Sequence, residues 1–313
     1  MIYAIGDLHG LYDPLKIVLN YIREEADQGV SVNKVIFLGD YIDCGPSSKE
    51  VIDLILQFRQ DFDTISLLGN HEQMLLSYYN RADDYSKVGE VWLLYNGGLQ
   101  TVRSFYPQSV LFSQKQHLSE REICELIPSE EVLKLDSVYE DFFNNLSLSC
   151  LLPLTVKKTK FDFLFSHSVP NPNYNLEEQL ALRNWADLQQ YTKTKNCFMD
   201  DTLVWNRQLL RTQLSEGMVV IHGHTPTLYY LQSDNLWQFR KGDANAPFIV
   251  KEKKNGKLAQ IDIDTGLIYG GALTLLAIDD APEAENPLPY YLSVIPAQGL
   301  RKSLYSKTEL NLF

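Results

Sequence analysis

Three times in its first eighty residues the chain runs a short apolar segment straight into a glycine and a metal-competent side chain. Residues 2–5 lead to Gly6-Asp7-Leu8-His9-Gly10. Val35-Ile36-Phe37-Leu38 leads to Gly39-Asp40-Tyr41-Ile42-Asp43-Cys44-Gly45, and residues 64–68 lead to Gly69-Asn70-His71-Glu72. Between them lie amphipathic stretches. Leu15, Val18, Leu19 and Ile22 fall at i, i+3, i+4 and i+7, a helical stripe, and Val51, Leu54, Ile55 and Phe58 make a second. Strand–helix alternation at a repeat of roughly thirty residues predicts βαβ units, right-handed crossovers and a sheet covered by helices. Asp13-Pro14 reads as an N-cap and first-turn proline, and Ser47-Ser48-Lys49-Glu50 as a capping box.

In open α/β sheets ligands bind beyond the carboxyl ends of the strands, so the three strand ends should converge on one place. Asp, His and Asn offer oxygen and nitrogen donors suited to divalent first-row metals. Two such ions sharing a carboxylate can activate water and clamp phosphoryl oxygens. Two later pieces have the same form: Phe165-Ser166-His167-Ser168, and Ile221-His222-Gly223-His224-Thr225-Pro226 after Met218-Val219-Val220. Taken singly, Asn70 could be a helix cap, His167 a core histidine and Gly6-Asp7 a surface turn. Five such turns, each after an apolar strand, point to a metal site.

Residues 73–148 read as a mostly helical insertion. Strands return at residues 151–156 and 161–165, short strands and turns fill residues 228–280, and Asn255-Gly256 marks a hairpin. Residues 1–280 are expected to form one domain, and 281–313 an irregular tail. A net charge of −12 with no basic run argues against a dedicated nucleic-acid partner, though bound cations can still attract phosphate. Cys44, Cys124, Cys150 and Cys197 are dispersed and read as reduced thiols. Without a leader pattern or a run of ~18 apolar residues, no membrane contact is expected and a cytoplasmic location is the default.

The motifs Gly6–Gly10, Gly39–Gly45, Gly69–Glu72, His167 and Gly223-His224-Thr225 resemble those of the calcineurin-like metallophosphoesterases, phosphoprotein-phosphatase branch. Val204-Trp205-Asn206-Arg207, His224-Thr225-Pro226, Ile263-Asp264-Thr265-Gly266 and Gly271-Ala272-Leu273-Thr274 are similar to segments of the phage and bacterial serine/threonine phosphatases. The resemblance implies an α/β metallophosphoesterase fold: two packed mixed β-sheets sandwiched by helices in four layers (α-β-β-α), with a helical cap. It implies two divalent ions, Mn²⁺ foremost with Fe, Zn or Co as alternatives. Asp7 and His9 would hold the first, Asn70, His167 and His224 the second, and Asp40 would bridge them. His71, oriented by Asp43, would protonate the leaving oxygen. Arg207 would grip phosphate, and a metal-bridging hydroxide would attack in line. His224 rather than His222 is the implied ligand, because it follows the glycine.

One position departs from the pattern. Cys44 stands where the family carries an arginine, and a thiol cannot replace a planar guanidinium fork. Loss of one charged hydrogen bond is worth ~1.5–3 kcal/mol if nothing replaces it. The expected substrate is a phosphorylated protein or peptide, or a small phosphoester. A nucleotide or dinucleoside polyphosphate is the alternative. The missing arginine and the aromatic residues of the insertion (Tyr78, Tyr79, Tyr85, Trp92, Tyr95) would suit it if those rings stack on a base, although packing of the cap is the first expectation for them. A non-catalytic phosphate-binding descendant is a third reading.

Overall fold

The computed structural model describes residues 1–79, 91–107, 119, 121–122, 135–156, 159–210, 212–232, 245–280, 290–295 and 304–309. The first strands are β1 (Ile2–Ile5), β2 (Lys34–Phe37) and β3 (Thr64–Ser66), separated by helices α1 (Tyr12–Asp27) and α2 (Ser48–Phe58). Helix α3 (Asn70–Tyr79) follows. The described part of the insertion holds a π-helical turn at Val91–Tyr95, α4 (Gly98–Phe105) and α5 (Ser137–Asn144). Next come β4 (Ser149–Val156), β5 (Thr159–Ser166), α6 (Leu176–Leu180), α7 (Trp185–Lys195), β6 (Met218–His222) and α8 (Thr227–Gln232). Strands β7 (Phe248–Lys251), β8 (Leu258–Asp262), β9 (Leu273–Ile278), β10 (Tyr290–Ile295) and β11 (Leu304–Glu309) complete the order.

Six strands form one mixed sheet in the order β11-β10-β9-β1-β2-β3, and five form a second in the order β4-β5-β6-β8-β7. β1, β2 and β3 run parallel, as do β5, β6 and β8. The period-2 alternation of strand side chains decides the layering. Ile2, Ala4, Ile36 and Leu38 pack against Phe163, Phe165, Val219 and Ile221 between the two sheets. Tyr3, Ile5, Val35 and Phe37 point the other way, onto the α1 stripe Leu15, Val18, Leu19 and Ile22 and the α2 stripe Val51, Ile55 and Phe58. Leu164, Met218 and Val220 face outward from the second sheet onto Leu176, Leu180 and Leu210. The result is helices, sheet, sheet, helices.

Three local expectations are corrected. Asp13 is not the N-cap of α1: the helix starts at Tyr12 after an extended Leu11, and Asp13 sits in the first turn. Ser47 caps α2 by position, but its side chain makes no capping bond. Glu50 instead accepts from Ser104 Oγ of α4 at 3.1 Å, and Ser48 Oγ meets Thr101 Oγ1 at 3.1 Å, so contacts with the insertion take the place of a local capping box. The expected irregular tail contains β10 and β11, antiparallel to each other, with β10 pairing β9. Tyr290, Leu292 and Val294 are buried on the α1 side and Tyr291 between the sheets. Prolines at 282, 287, 289 and 296 disguise this strand in the sequence, because they flank it without entering it. No helix among the described residues is long and apolar enough to cross a membrane.

Candidate metal centre

The carboxyl ends of β1, β2, β3, β5 and β6 open at one edge of the double sheet, and the turns leaving them carry Asp7, His9, Asp40, Asn70, His71, His167 and His224, all buried. Asp40 is central: its Oδ2 lies 3.6 Å from His9 Nε2 and 3.9 Å from His71 Nε2, and its Oδ1 lies 3.3 Å from His167 Nε2. Among the described residues two groups of donor atoms able to hold a cation share it, His9–Asp40–His71 and Asp40–His167–His224, each with its atoms within 4.8 Å of one another.

The outer partners of the histidines decide which nitrogen faces the centre. His167 Nδ1–H donates to the Leu38 carbonyl at 2.8 Å, and His224 Nε2–H donates to the Trp205 carbonyl at 3.0 Å. The opposite nitrogens, His167 Nε2 and His224 Nδ1, approach Asn70 Oδ1 at 2.9 and 2.8 Å. All three atoms present lone pairs in these tautomers, and no proton lies between them. With the Asn70 amide turned so that Oδ1 faces both rings, such a convergence is repulsive, and a cation among the three relieves it. Asp7 adds a further sign: its Oδ2 accepts from His224 N at 3.0 Å, while its Oδ1 is buried with no hydrogen-bond partner. The donor set therefore fits a pair of borderline divalent ions.

Electrostatics sort the side chains in the same way. Burial, reinforced by His71, draws His9 down to about 4. Burial likewise lowers His167, and burial together with His167 and Arg207 lowers His224, so all three are neutral imidazoles ready to donate lone pairs. His71 is the exception. Burial pulls it down, but Asp40 and the hydrogen bond to Asp43 outweigh that and hold it at about 9. Burial opposes the ionised form of Asp40, yet the surrounding histidines keep it well below the usual carboxylate range. Asp7 is raised by burial and by the neighbouring Asp264 and Asp40, a crowding of carboxylates that cations relieve.

The backbone is strained where the donors sit. Among the described residues, six other than glycine have positive φ, and five are His9, Asp40, Asp43, Cys44 and His224. Such conformations cost of order 1–3 kcal/mol each and persist only where their surroundings over-determine them. Glu72 is one source of that constraint. Its carboxylate accepts from the backbone N–H groups of Asp40 (2.9 Å), Tyr41 (2.8 Å), Ile42 (3.3 Å) and Gly69 (3.1 Å). Gly223 is a second, since a Cβ there would collide with Asp7 Oδ1.

Asp43 orients His71 as the resemblance implies, and two further bonds to Asp43 were not found by sequence reasoning. Its Oδ2 accepts from His71 Nδ1 at 2.7 Å and Trp92 Nε1 at 2.8 Å, and its Oδ1 accepts from Thr101 Oγ1 at 2.5 Å. Trp92 and Thr101 belong to the insertion, some fifty residues from Asp43, and no local pattern marks them. Trp92→Phe removes a hydrogen bond to a charged group worth ~1.5 kcal/mol. It is expected to lower kcat about tenfold at unchanged metal content. Steady-state kinetics beside metal analysis check this, and an unchanged kcat would show that the tryptophan serves packing alone.

A cavity of about 390 Å³ opens above the donors, lined among others by Arg207, Cys44, Asp264 and Trp205. Arg207 is exposed and donates from Nη1 to the His224 carbonyl at 3.2 Å, which aims its guanidinium at the cavity. Cys44 packs instead against the insertion, its N–H meeting the Gly97 carbonyl at 3.3 Å and its Sγ the Asn96 carbonyl at 3.7 Å. Cys44, Cys150 and Cys197 are free thiols, and Cys124 lies outside the described residues. Asp264 is raised to about 7 by burial and by Asp40 against an opposing Gly266 N–H, and also lines the cavity. His222 is separated from the donors. β6 ends on it, Gly223 intervenes, and a φ of 69° at His224 turns that ring to Asn70 while His222 Nδ1 meets the Gly223 carbonyl at 2.9 Å.

A family model described as calcineurin-like phosphoesterase matches residues 1–250. The symmetrical bis(5'-nucleosyl)-tetraphosphatase of Cellvibrio japonicus is 35% identical over 77 residues, 25% of this chain and 26% of that protein. The protein of the same name from Sodalis glossinidius is 40% identical over 78 residues, 25% of each chain. The chain thus spans about a quarter of the length of the curated relatives it matches. A solved serine/threonine phosphatase from Saccharomyces cerevisiae is 15% identical, with 99% of this chain and 79% of that one covered and a TM-score of 0.41. With two mixed sheets between helices, buried donors at the strand ends and a family model spanning most of its length, the chain belongs to the calcineurin-like phosphoesterase family of metal-dependent hydrolases.

Proposed function

We propose that this chain hydrolyses phosphate esters or anhydrides at a two-ion centre, and that its substrate is a dinucleoside polyphosphate. The convergence of His167 Nε2, His224 Nδ1 and Asn70 Oδ1 without a shared proton carries the first part. Asp7 and His9 would hold one ion, Asn70, His167 and His224 the other, and Asp40 would touch both. When bound, such ions supply Lewis-acid polarisation of the phosphoryl group and an activated water. His71, protonated and held by Asp43, is placed to give its Nε2 proton to the leaving oxygen. Arg207 offers a guanidinium fork to the phosphate.

The substrate reading rests on the names of the curated relatives and on the size of the cavity, which falls within the ~300–1,000 Å³ of small-ligand sites. It places the dinucleotide ahead of the phosphoprotein anticipated from the motifs. The phosphoprotein reading keeps one specific support, the Val204-Trp205-Asn206-Arg207 and His224-Thr225-Pro226 segments.

Metal analysis joined to a substrate panel tests both parts. Purified protein is expected to bind about two equivalents of Mn²⁺ and to convert dinucleoside tetraphosphate faster than phosphoseryl or phosphotyrosyl peptides. Asp40→Ala is expected to lose both ions and all measurable turnover, since one carboxylate serves both groups. Turnover of the peptides without turnover of the dinucleotide would restore the phosphoprotein reading. Metal binding without hydrolysis of any phosphoester, generic aryl phosphates included, would leave a binding protein.

A further inference from the structure

Three tyrosines stand exposed among the described residues, and all three line the mouth of the same cavity: Tyr95 at 73% exposure, Tyr229 at 56% and Tyr269 at 63%. They come from three unrelated places in the chain. Tyr95 ends the π-helical turn of the insertion, Tyr229 lies in α8, and Tyr269 ends a short 3₁₀ turn at Leu267–Tyr269. Tyr269 lines the cavity together with Tyr229, Cys44, Asp264 and Arg207, on the side of the site that would grip phosphate. The other insertion aromatics behave differently. Tyr78 and Trp92 are buried in the core, Tyr79 is half-buried, and Tyr85 lies outside the described residues.

A single exposed aromatic is ordinary, as at Phe198 (81% exposed) away from the cavity, but three tyrosines from separate elements on one rim mark a binding surface. Among the described residues Arg207 is the only lysine or arginine lining the cavity, so affinity beyond the phosphate groups has little further cationic help there. Aromatic faces supply the alternative, because a flat π-system stacks on tyrosine whatever its substituents. A volume of about 390 Å³ admits a nucleotide end more readily than a folded polypeptide surface.

We propose that Tyr95, Tyr229 and Tyr269 form a stacking rim that selects phosphate compounds carrying a nucleobase, with Tyr269 holding the base nearest Arg207. The inference rests on the nucleotide reading above and adds to it the residues that set specificity.

The test compares kcat/KM for dinucleoside tetraphosphate with that for inorganic tripolyphosphate, in Mn²⁺-loaded wild type, Tyr269→Ala, Tyr95→Ala and Tyr269→Phe. Alanine substitution at a stacking position costs roughly five- to a hundredfold in base-dependent affinity. The preference for the dinucleotide is therefore expected to fall at least fivefold in both alanine variants and to be kept by Tyr269→Phe, which retains the ring. Equal loss on both substrates, or an unaltered preference, would overturn the rim. Should wild type fail to turn over the dinucleotide, the nucleotide reading itself is at fault, and calorimetry then decides the rim separately. Nucleoside diphosphate binding at least tenfold tighter than pyrophosphate, with the difference erased in Tyr269→Ala, supports a base site. Equal binding of the two overturns it.

Discussion

His71→Asn is expected to lower kcat by about 10²- to 10⁴-fold for substrates with a basic leaving oxygen, the range associated with removal of a positioned general acid. Asn keeps a polar group near Asp43 but cannot deliver a proton. The size of the loss should depend on the substrate. A departing oxygen of low pKa leaves without help, whereas an alkoxide or a simple phenoxide does not. Across a series of aryl phosphates the variant should therefore show a steeper dependence on leaving-group pKa than wild type, with metal content per chain unchanged. The geometric grouping of His71 with His9 and Asp40 permits a rival role as a ligand. Its Nδ1 bond to Asp43 and its raised pKa favour the acid. Loss of one bound ion in His71→Asn would instead identify it as a ligand, and undiminished activity with added Mn²⁺ would remove it from the chemistry.

Glu72→Ala should threaten the fold itself. Four backbone N–H groups lose their acceptor in a site closed to water. An unsatisfied buried donor costs ~1–3 kcal/mol, so the sum reaches about 4–12 kcal/mol. The whole stability of a domain is only about 5–15 kcal/mol. Thermal unfolding is expected to show either no folded protein or a large fall in Tm. Glu72→Gln keeps one acceptor oxygen and should fold with a smaller loss, but with weakened Mn²⁺ affinity, because the Asp40 turn is no longer held from both carboxylate oxygens. A Glu72→Ala protein melting within a few degrees of wild type would mean that water or rearranged backbone replaces the carboxylate.

Why such residues escape a sequence reading is clear from their chemistry. Glu72 looks like the second residue after a ligand at a helix start, a place where any acid is favourable. Three of its four partners, Asp40, Tyr41 and Ile42, lie some thirty residues upstream. Trp92 and Thr101 look like ordinary core and helix residues, and only the packing of the insertion against Asp43 gives them their contacts. The aromatic residues of the insertion illustrate the same limit from the other side. Their composition suggests either packing or stacking. The structure divides them residue by residue, with Tyr78 and Trp92 inside and Tyr95 at the cavity mouth.

What the sequence determines by itself is local and repetitive. Apolar runs of strand length, helical stripes and turns carrying Gly with Asp, Asn or His are all encoded within a few residues of one another. That is enough to place the strand ends and to mark Asp7, His9, Asp40, Asn70, His167 and one of the pair His222 and His224 as residues that would meet, with His224 preferred there only through the family resemblance. The tertiary structure alone decides what depends on long-range packing or on a single torsion. It turns His224 toward Asn70 and leaves His222 aside through one positive φ. It recruits β10 and β11 from a stretch that prolines disguise. It also brings Tyr95, Tyr229 and Tyr269 to one rim from positions more than a hundred and seventy residues apart at the extremes. Hydrophobic periodicity specifies which face of an element is buried, but it carries no information on which distant element arrives to cover it.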